Sequence, residues 1–168
     1  MKKNKIYIYL ASPYGFTDAG REFMNNVFIP NLSHDEIEVL NPWNSFKSAV
    51  SEIEKISLIN DKIKLARSLG KFNYKIASHN EELIDKSQFM IAILDGSDVD
   101  SGVAAEIGYA YANKKTIIGY RSDFRSSGDN FGAVVNIQVE YFVEKSGGRI
   151  VNNISALNQV LKKLISLK

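Results

Sequence analysis

The sequence predicts an α/β chain: a doubly wound, Rossmann- or flavodoxin-like parallel sheet flanked by helices, with 1–168 forming a single domain. Three observations carry that expectation. β-branched and aromatic runs alternate with helical patterns along the chain, as parallel crossover connections require. The run from Gln88 to Asp95, Gln-Phe-Met-Ile-Ala-Ile-Leu-Asp, is continuously apolar until its end, which suits a central strand covered on both faces. That strand ends in acidic residues and opens into a small-residue helix, and open parallel sheets bind ligands at such carboxyl edges.

Taken in order, Ile6 to Ala11 (Ile-Tyr-Ile-Tyr-Leu-Ala) reads as the first strand, ended by Ser12-Pro13. Thr17 or Asp18 then caps a helix to about Ile29, with Phe23, Val27 and Phe28 on one face. Glu36 to Leu40 is a short strand stopped by Asn41-Pro42, followed by a polar, partly aromatic loop around Trp43 and Phe46. Helical patterns cover about Ala49 to Ser68 and Tyr74 to Lys86, with Gly70 between them as a stop signal. After the central strand, a helix is predicted from about Ser101 to Asn113 and a strand from Thr116 to Tyr120. A Gly/Ser/Asp loop spans Arg121 to Gly132, Val134 to Val143 is β-prone, and Asn152 to Leu167 reads as a closing amphipathic helix. No internal repeat or low-complexity tract divides the chain.

Composition narrows the function classes. An apolar content of 45% and a charged content of 24% are those of an ordinary soluble globular protein. A net charge of +2 and a pI near 8.6, with scattered Lys and Arg, are too mild for a nucleic-acid partner. The absence of cysteine removes disulfide and thiolate chemistry and fits a reducing compartment. The basic amino terminus is followed by only a short apolar run, broken by Pro13, and no stretch of about twenty apolar residues occurs. A cytoplasmic protein with no membrane partner is therefore expected.

The chemistry points to Glu106. It is the only charged residue between Asp100 and Lys114, among Val103, Ala104, Ala105, Ile107 and Ala110. A packed carboxylate is costly unless something uses or compensates it. Asp95, Asp98 and Asp100 lie just upstream. On a purely structural reading, Asp100 is a helix N-cap and Glu106 is partly exposed or paired with an arginine. On a functional one, a carboxylate at such a junction serves as general base, metal ligand or covalent nucleophile. No metal site is expected, because His34 and His79 have no helpful spacing to each other. Neither Gly-x-Gly-x-x-Gly after the first strand nor a P-loop motif is present, which argues against dinucleotide and P-loop nucleotide binding. Tyr9 and Ala11 share one strand face near the ligand crevice, whereas Tyr7 reads as a core aromatic. Asn136-Ile137-Gln138-Val139-Glu140 alternates polar and apolar, as a strand with one solvated face or as amides offered to the hydroxyls of a small ligand.

Four segments, in order, resemble the nucleoside 2-deoxyribosyltransferases: Ile8-Tyr9-Leu10-Ala11-Ser12-Pro13, Asn80 with Ile84, Asp100-Ser-Gly-x-Ala-x-Glu106-Ile-Gly-Tyr-Ala, and Asn136-Ile-Gln138. The third is the specific one. The resemblance implies that Glu106 is the nucleophile, Asp100 a sugar-contacting carboxylate and Tyr9 the group that holds the nucleophile. It implies that Asn136 and Gln138 reach a neighbouring subunit's site to hold the sugar 5′-hydroxyl, making the protein a homo-oligomer with shared sites. Asn80 stands where some members have an aspartate that handles the nucleobase. An amide cannot protonate the leaving base, so Asp98, Asp100 or Glu106 must substitute. The implied substrates are 2′-deoxynucleosides and free nucleobases, exchanged in nucleoside salvage through a glutamyl-deoxyribosyl ester, without cofactor or metal. Burial should raise the pKa of Glu106 and hydrogen bonds from Tyr9 should lower it. The competing readings are a 2′-deoxynucleoside 5′-phosphate N-hydrolase, with Arg121 and Arg125 as its source of positive charge, and a non-catalytic nucleoside- or nucleotide-sensing module.

Overall fold

The computed structural model describes residues 5–32, 36–126, 128 and 130–166, with the backbone alone for 46 and 47. His34 and the predicted last helical residue, Leu167, lie outside the described residues. Among those described, five strands form one parallel sheet: β1 Ile6–Ala11, β2 Ile37–Leu40, β3 Phe89–Ile93, β4 Thr116–Tyr120 and β5 Ile150–Val151. Their spatial order is β2-β1-β3-β4-β5. The helices are α1 Asp18–Phe23, α2 Phe46–Ser57, α3 Lys62–Lys86, α4 Ser101–Ala112, α5 Ile137–Lys145 and α6 Ile154–Ser166. The doubly wound sheet expected from the sequence is the one observed. Among the described residues no helix is long and apolar enough to cross a membrane.

Strand alternation sorts the core into two layers. Ile8 and Leu10 of β1, with Phe89, Ile91 and Ile93 of β3, pack against Met24, Phe28, Leu157 and Leu161. Tyr9 and Ala11, with Met90 and Ala92, face Val103, Ile107, Val139 and Val143 on α4 and α5. Every residue of β3 is buried, as its continuous apolar run requires. The chain leaves β1 toward β2 at one edge and leaves β3 toward β4 in the opposite direction. The crevice at the carboxyl ends of β1 and β3 is thus the switch point of the topology, where doubly wound sheets bind ligands.

Four elements differ from their sequence readings. The first helix is α-helical only to Phe23 and continues as a π-type turn, Met24–Phe28, then a 3₁₀ turn, Ile29–Asn31. The wider turn changes the phase, so Phe28 is buried while Val27 is exposed. Gly70 does not stop a helix: α3 is continuous for 25 residues. The break falls earlier, where Asp61 caps α3 by accepting from the N–H groups of Ile63 and Lys64, both at 2.9 Å. A helix-interior glycine costs only about 1 kcal/mol relative to alanine, which a long, docked helix tolerates. The stretch read as β-prone from Val134 to Val143 is largely helix α5. Its real period is four, because Val135, Val139 and Val143 are the buried positions. Finally, the short β5 was not legible; its approach to β4 depends on Gly148, where a Cβ would lie 1.8 Å from the Ile117 carbonyl oxygen.

Candidate active site

The site is assembled from β1, α3 and α4 at the switch point. Asp100 opens α4 as its N-cap, its Oδ1 accepting from the N–H groups of Gly102 at 2.9 Å and Val103 at 3.1 Å. Glu106 follows in the same helix and meets a side chain from each of two other elements. The Tyr9 hydroxyl, carried by β1, donates to Glu106 Oε1 at 2.8 Å. Asn80 Nδ2, carried by α3, donates to the same oxygen at 3.1 Å. Among the described residues no group donates to Oε2. One carboxylate oxygen is therefore anchored twice, while the other accepts no hydrogen bond from the described residues.

Electrostatics resolves the contest posed by the sequence. Burial raises the pKa of Glu106, outweighing the hydrogen bonds from Tyr9 and Asn80, and the nearby charge of Asp100 pushes it the same way. For Tyr9, burial first and the Glu106 carboxylate second drive the phenol far above its ordinary range, so Tyr9 keeps its proton and serves as a donor.

A cavity of about 430 Å³ opens over this carboxylate, lined by Asp100, Glu106 and Asn80 among others. One wall is a stripe of α3, Phe72, Lys75, Ile76, His79 and Asn80, at the spacing of a single helix face. The facing wall is Ser45, Ser48, Ala49 and Glu52 at the start of α2, at the same spacing. Lys75 and Glu52 close the gap between the two helices with an ion pair at 2.9 Å. Aromatic surface comes from Phe16 and Trp43, packed edge to face with centroids 4.8 Å apart. Trp43 Nε1 donates to the Ser12 carbonyl at 2.9 Å. Its ring lies so close over Gly15 that a Cβ there would stand 1.8 Å from it. Only glycine fits beneath this wall.

Of the residues singled out from sequence, Glu106, Asp100, Tyr9 and Asn80 come together. Asp98 does not join them: it is exposed, and its Oδ1 accepts from the N–H of Val99 at 2.7 Å. Asn136 and Gln138 also lie outside the cavity. Asn136 is the N-cap of α5, accepting from the Gln138 N–H at 3.0 Å, and Gln138 is exposed. Asp95 is a structural knot, accepting from the Tyr14 hydroxyl, from Ser122 Oγ at 2.7 Å and from the Asp123 N–H at 2.8 Å. Arg121 is buried and donates to the carbonyls of Leu94, Gly96 and Arg125. Arg125 in turn pairs with Asp123. Tyr7 is not a core aromatic but a partly buried one, with Lys86 Nζ 4.3 Å from its ring centroid. Among the described residues no group of three His, Asp or Glu side chains is placed to hold a metal.

The sequence reading missed Phe16, Trp43, Phe72, His79 and the Glu52–Lys75 pair. The matched i, i+3, i+4, i+7 stripes of α2 and α3 were the available signal, since their polar members signal a second helix face with a use of its own.

The chain matches the family described as nucleoside 2-deoxyribosyltransferase over residues 8–138. No curated protein matches it in sequence. Among solved structures, a conserved protein from Enterococcus faecalis V583 superposes with a TM-score of 0.65 at 23% identity, covering 95% of this chain and 98% of that one. The 2-desoxiribosyltransferase of Leishmania mexicana follows at 0.62 and 20%, covering 96% and 97%. The 2-deoxyribosyltransferase of the psychrotolerant bacterium Bacillus psychrosaccharolyticus gives 0.59 and 15%, covering 90% of each. At these identities the neighbours establish the fold. The family match runs from β1 into the first turn of α5 and takes in Tyr9, Asn80, Asp98, Asp100, Glu106, Asn136 and Gln138. The chain belongs to the nucleoside 2-deoxyribosyltransferase family.

Proposed function

We propose that this protein transfers the 2-deoxyribosyl group between nucleobases through a covalent ester on Glu106, serving nucleoside salvage in the cytoplasm without a cofactor. The observation that carries this reading is the convergence of Tyr9 and Asn80 on Oε1 of a glutamate that lines a cavity able to admit a nucleoside, with Oε2 not engaged by the described residues. A carboxylate fixed through one oxygen presents the other in a single orientation, as an attacking group requires. Glu106 Oε2 attacks the anomeric carbon, the base departs, and a deoxyribosyl ester forms. A second base enters the vacated space and attacks the same carbon from the opposite side, so double displacement retains configuration. The aromatic wall of Phe16 and Trp43 suits the flat faces of the two bases. Asp100 lines the same cavity as Glu106, which supports a contact with the sugar.

The neighbour named from Leishmania mexicana as a 2-desoxiribosyltransferase and the family match both support this class of activity. Asn136 and Gln138 lie outside the cavity of their own chain, which supports a homo-oligomer whose sites they complete in a neighbour. The apolar side chains exposed around them, Phe131, Val134, Ile137 and Tyr141, support the same view. The 5′-phosphate hydrolase reading needs cations at the site, whereas Arg121 and Arg125 are engaged elsewhere. Incubation of 2′-deoxyadenosine, and in parallel of its 5′-phosphate, with a second free base distinguishes the outcomes. Exchanged nucleoside is the expected product; free deoxyribose or deoxyribose 5-phosphate alone indicates hydrolysis, and no product from either substrate indicates a binding module.

A further inference from the structure

This inference rests on the base-exchange reading and concerns the proton that the reaction needs. Expulsion of a nucleobase as its anion is slow near neutral pH, so a proton has to reach the base as its bond to the sugar breaks. Asn80, the α3 residue that touches Glu106, is an amide with no proton to release. Asp98 does not line the cavity, and Glu106 has to be ionised in order to attack. Asp100 caps α4 as an acceptor. Glu52 and Lys75 hold each other in an ion pair.

His79 is left. It directly precedes Asn80 in α3, lines the same cavity and is half-exposed, so its ring is free to exchange protons with both ligand and water. The charged groups around it are Glu82 on its own helix, with Oε2 3.9 Å from His79 Nδ1, and Glu52, Lys75, Asp100 and Glu106 around the cavity. An imidazole can release or take up a proton at a ring nitrogen, and with the Glu82 carboxylate beside Nδ1, Nε2 is the nitrogen left for the exchange.

We propose that His79 is the general acid for the departing base and the general base for the incoming one. In the first half-reaction, the proton on Nε2 moves to a ring nitrogen of a purine or a carbonyl oxygen of a pyrimidine. The bond from Glu106 Oε2 to the anomeric carbon forms as the carbon–nitrogen bond breaks, and that bond's electron pair leaves with the base. The base departs neutral and His79 is left neutral. In the second half-reaction, the incoming base gives its N–H proton to His79 as its nitrogen attacks the anomeric carbon, and the ester electrons return to the Glu106 carboxylate.

The test compares two substrates in His79→Gln and wild type. Ordinary 2′-deoxyadenosine needs the proton, whereas 7-methyl-2′-deoxyguanosine already carries a positive charge on its base and releases it neutral. With 2′-deoxyadenosine, the variant should lose about 100-fold or more in the rate of base release. With the methylated nucleoside it should release base at close to the wild-type rate, which also reports that fold and nucleophile are intact. Equal rates of variant and wild type on both substrates would overturn the assignment, and so would an equal loss on both. Failure of the exchange reading shows separately, as a wild type that forms no new nucleoside from either substrate when a second free base is supplied, and that result removes the proposal with it.

Discussion

The Tyr9 hydroxyl reaches Glu106 Oε1 at 2.8 Å across 97 positions of sequence, joining the first strand to the helix that follows the third. β1 and β3 are adjacent only because the order β2-β1-β3-β4-β5 puts the switch point between them. Fold and chemistry thus meet in one hydrogen bond.

The first consequence concerns pH. Burial holds the pKa of Glu106 above its ordinary value, and in the proposed mechanism its ionised form is the one that attacks. Activity should therefore fall, as pH is lowered, at a point above the ordinary carboxylate range. Tyr9→Phe removes a hydrogen bond that lowers this pKa and should move the acid limb of kcat/KM to higher pH. Asp100→Asn removes a charge that raises it and should move the limb to lower pH. Rate profiles of the three proteins check both signs; shifts in the reverse sense would contradict this electrostatic picture.

The same shift has a stability counterpart. A raised folded-state pKa means that the folded chain holds the Glu106 proton more tightly than the unfolded chain does. That contribution is present below the unfolded-state value and is lost as pH rises through the folded-state one. Glu106→Gln keeps the shape without the charge, so its melting temperature relative to wild type should rise between acid and neutral pH. A difference that stays constant with pH would mean that Glu106 is not desolvated.

Asp100 is the N-cap of α4, and that job is separable from the sugar contact proposed for it. Asparagine is also a good N-cap, so Asp100→Asn should leave stability nearly unchanged while lowering turnover by about 100-fold or more if the carboxylate serves the sugar. Asp100→Ala should additionally cost about 1 kcal/mol through loss of the cap. Denaturant melts beside turnover measurements separate the two. Wild-type turnover in the asparagine variant would reduce Asp100 to a cap.

Much of this arrangement was legible because sequence-local physics wrote it. The apolar run of β3, the strand-ending Ser12-Pro13 and the lone Glu106 among alanines each follow from short-range pattern. The α5 helix was misread because five alternating residues, Asn136 to Glu140, mask a four-residue period that only Val135, Val139 and Val143 together disclose. Gly70 was overweighted as a stop, since packing along α3 overrides a small intrinsic penalty. The cavity walls were invisible for a different reason. Phe16, Trp43 and the stripes of α2 and α3 come from separate segments, and only tertiary packing turns them toward one space.

Gly15 tests the aromatic wall. A Cβ there would fall 1.8 Å from the Trp43 ring, so Gly15→Ala must displace the ring or the turn beneath it. KM for the nucleoside should rise more than kcat falls if the wall holds the base without touching the anomeric centre. Steady-state kinetics decides the point, and an unchanged KM would remove the wall from the binding site.

Glu106→Ala and Asn136→Asp chains should each be inactive, yet regain some activity when mixed under conditions that let subunits exchange. Aspartate preserves the α5 cap, so loss in the second variant reports the missing amide donor and not the helix. A sedimentation mass of one chain at assay concentration, or no rescue after exchange is demonstrated, would contradict shared sites.

The central claim, a covalent ester on Glu106, is tested most directly by trapping it. Wild-type protein incubated with a slow fluorinated 2-deoxynucleoside is digested and its peptides weighed by mass spectrometry. The expected result is a fluorodeoxyribosyl adduct on the peptide containing Glu106, absent from Glu106→Gln. An adduct on any other residue, or full base exchange by Glu106→Ala, would contradict the claim.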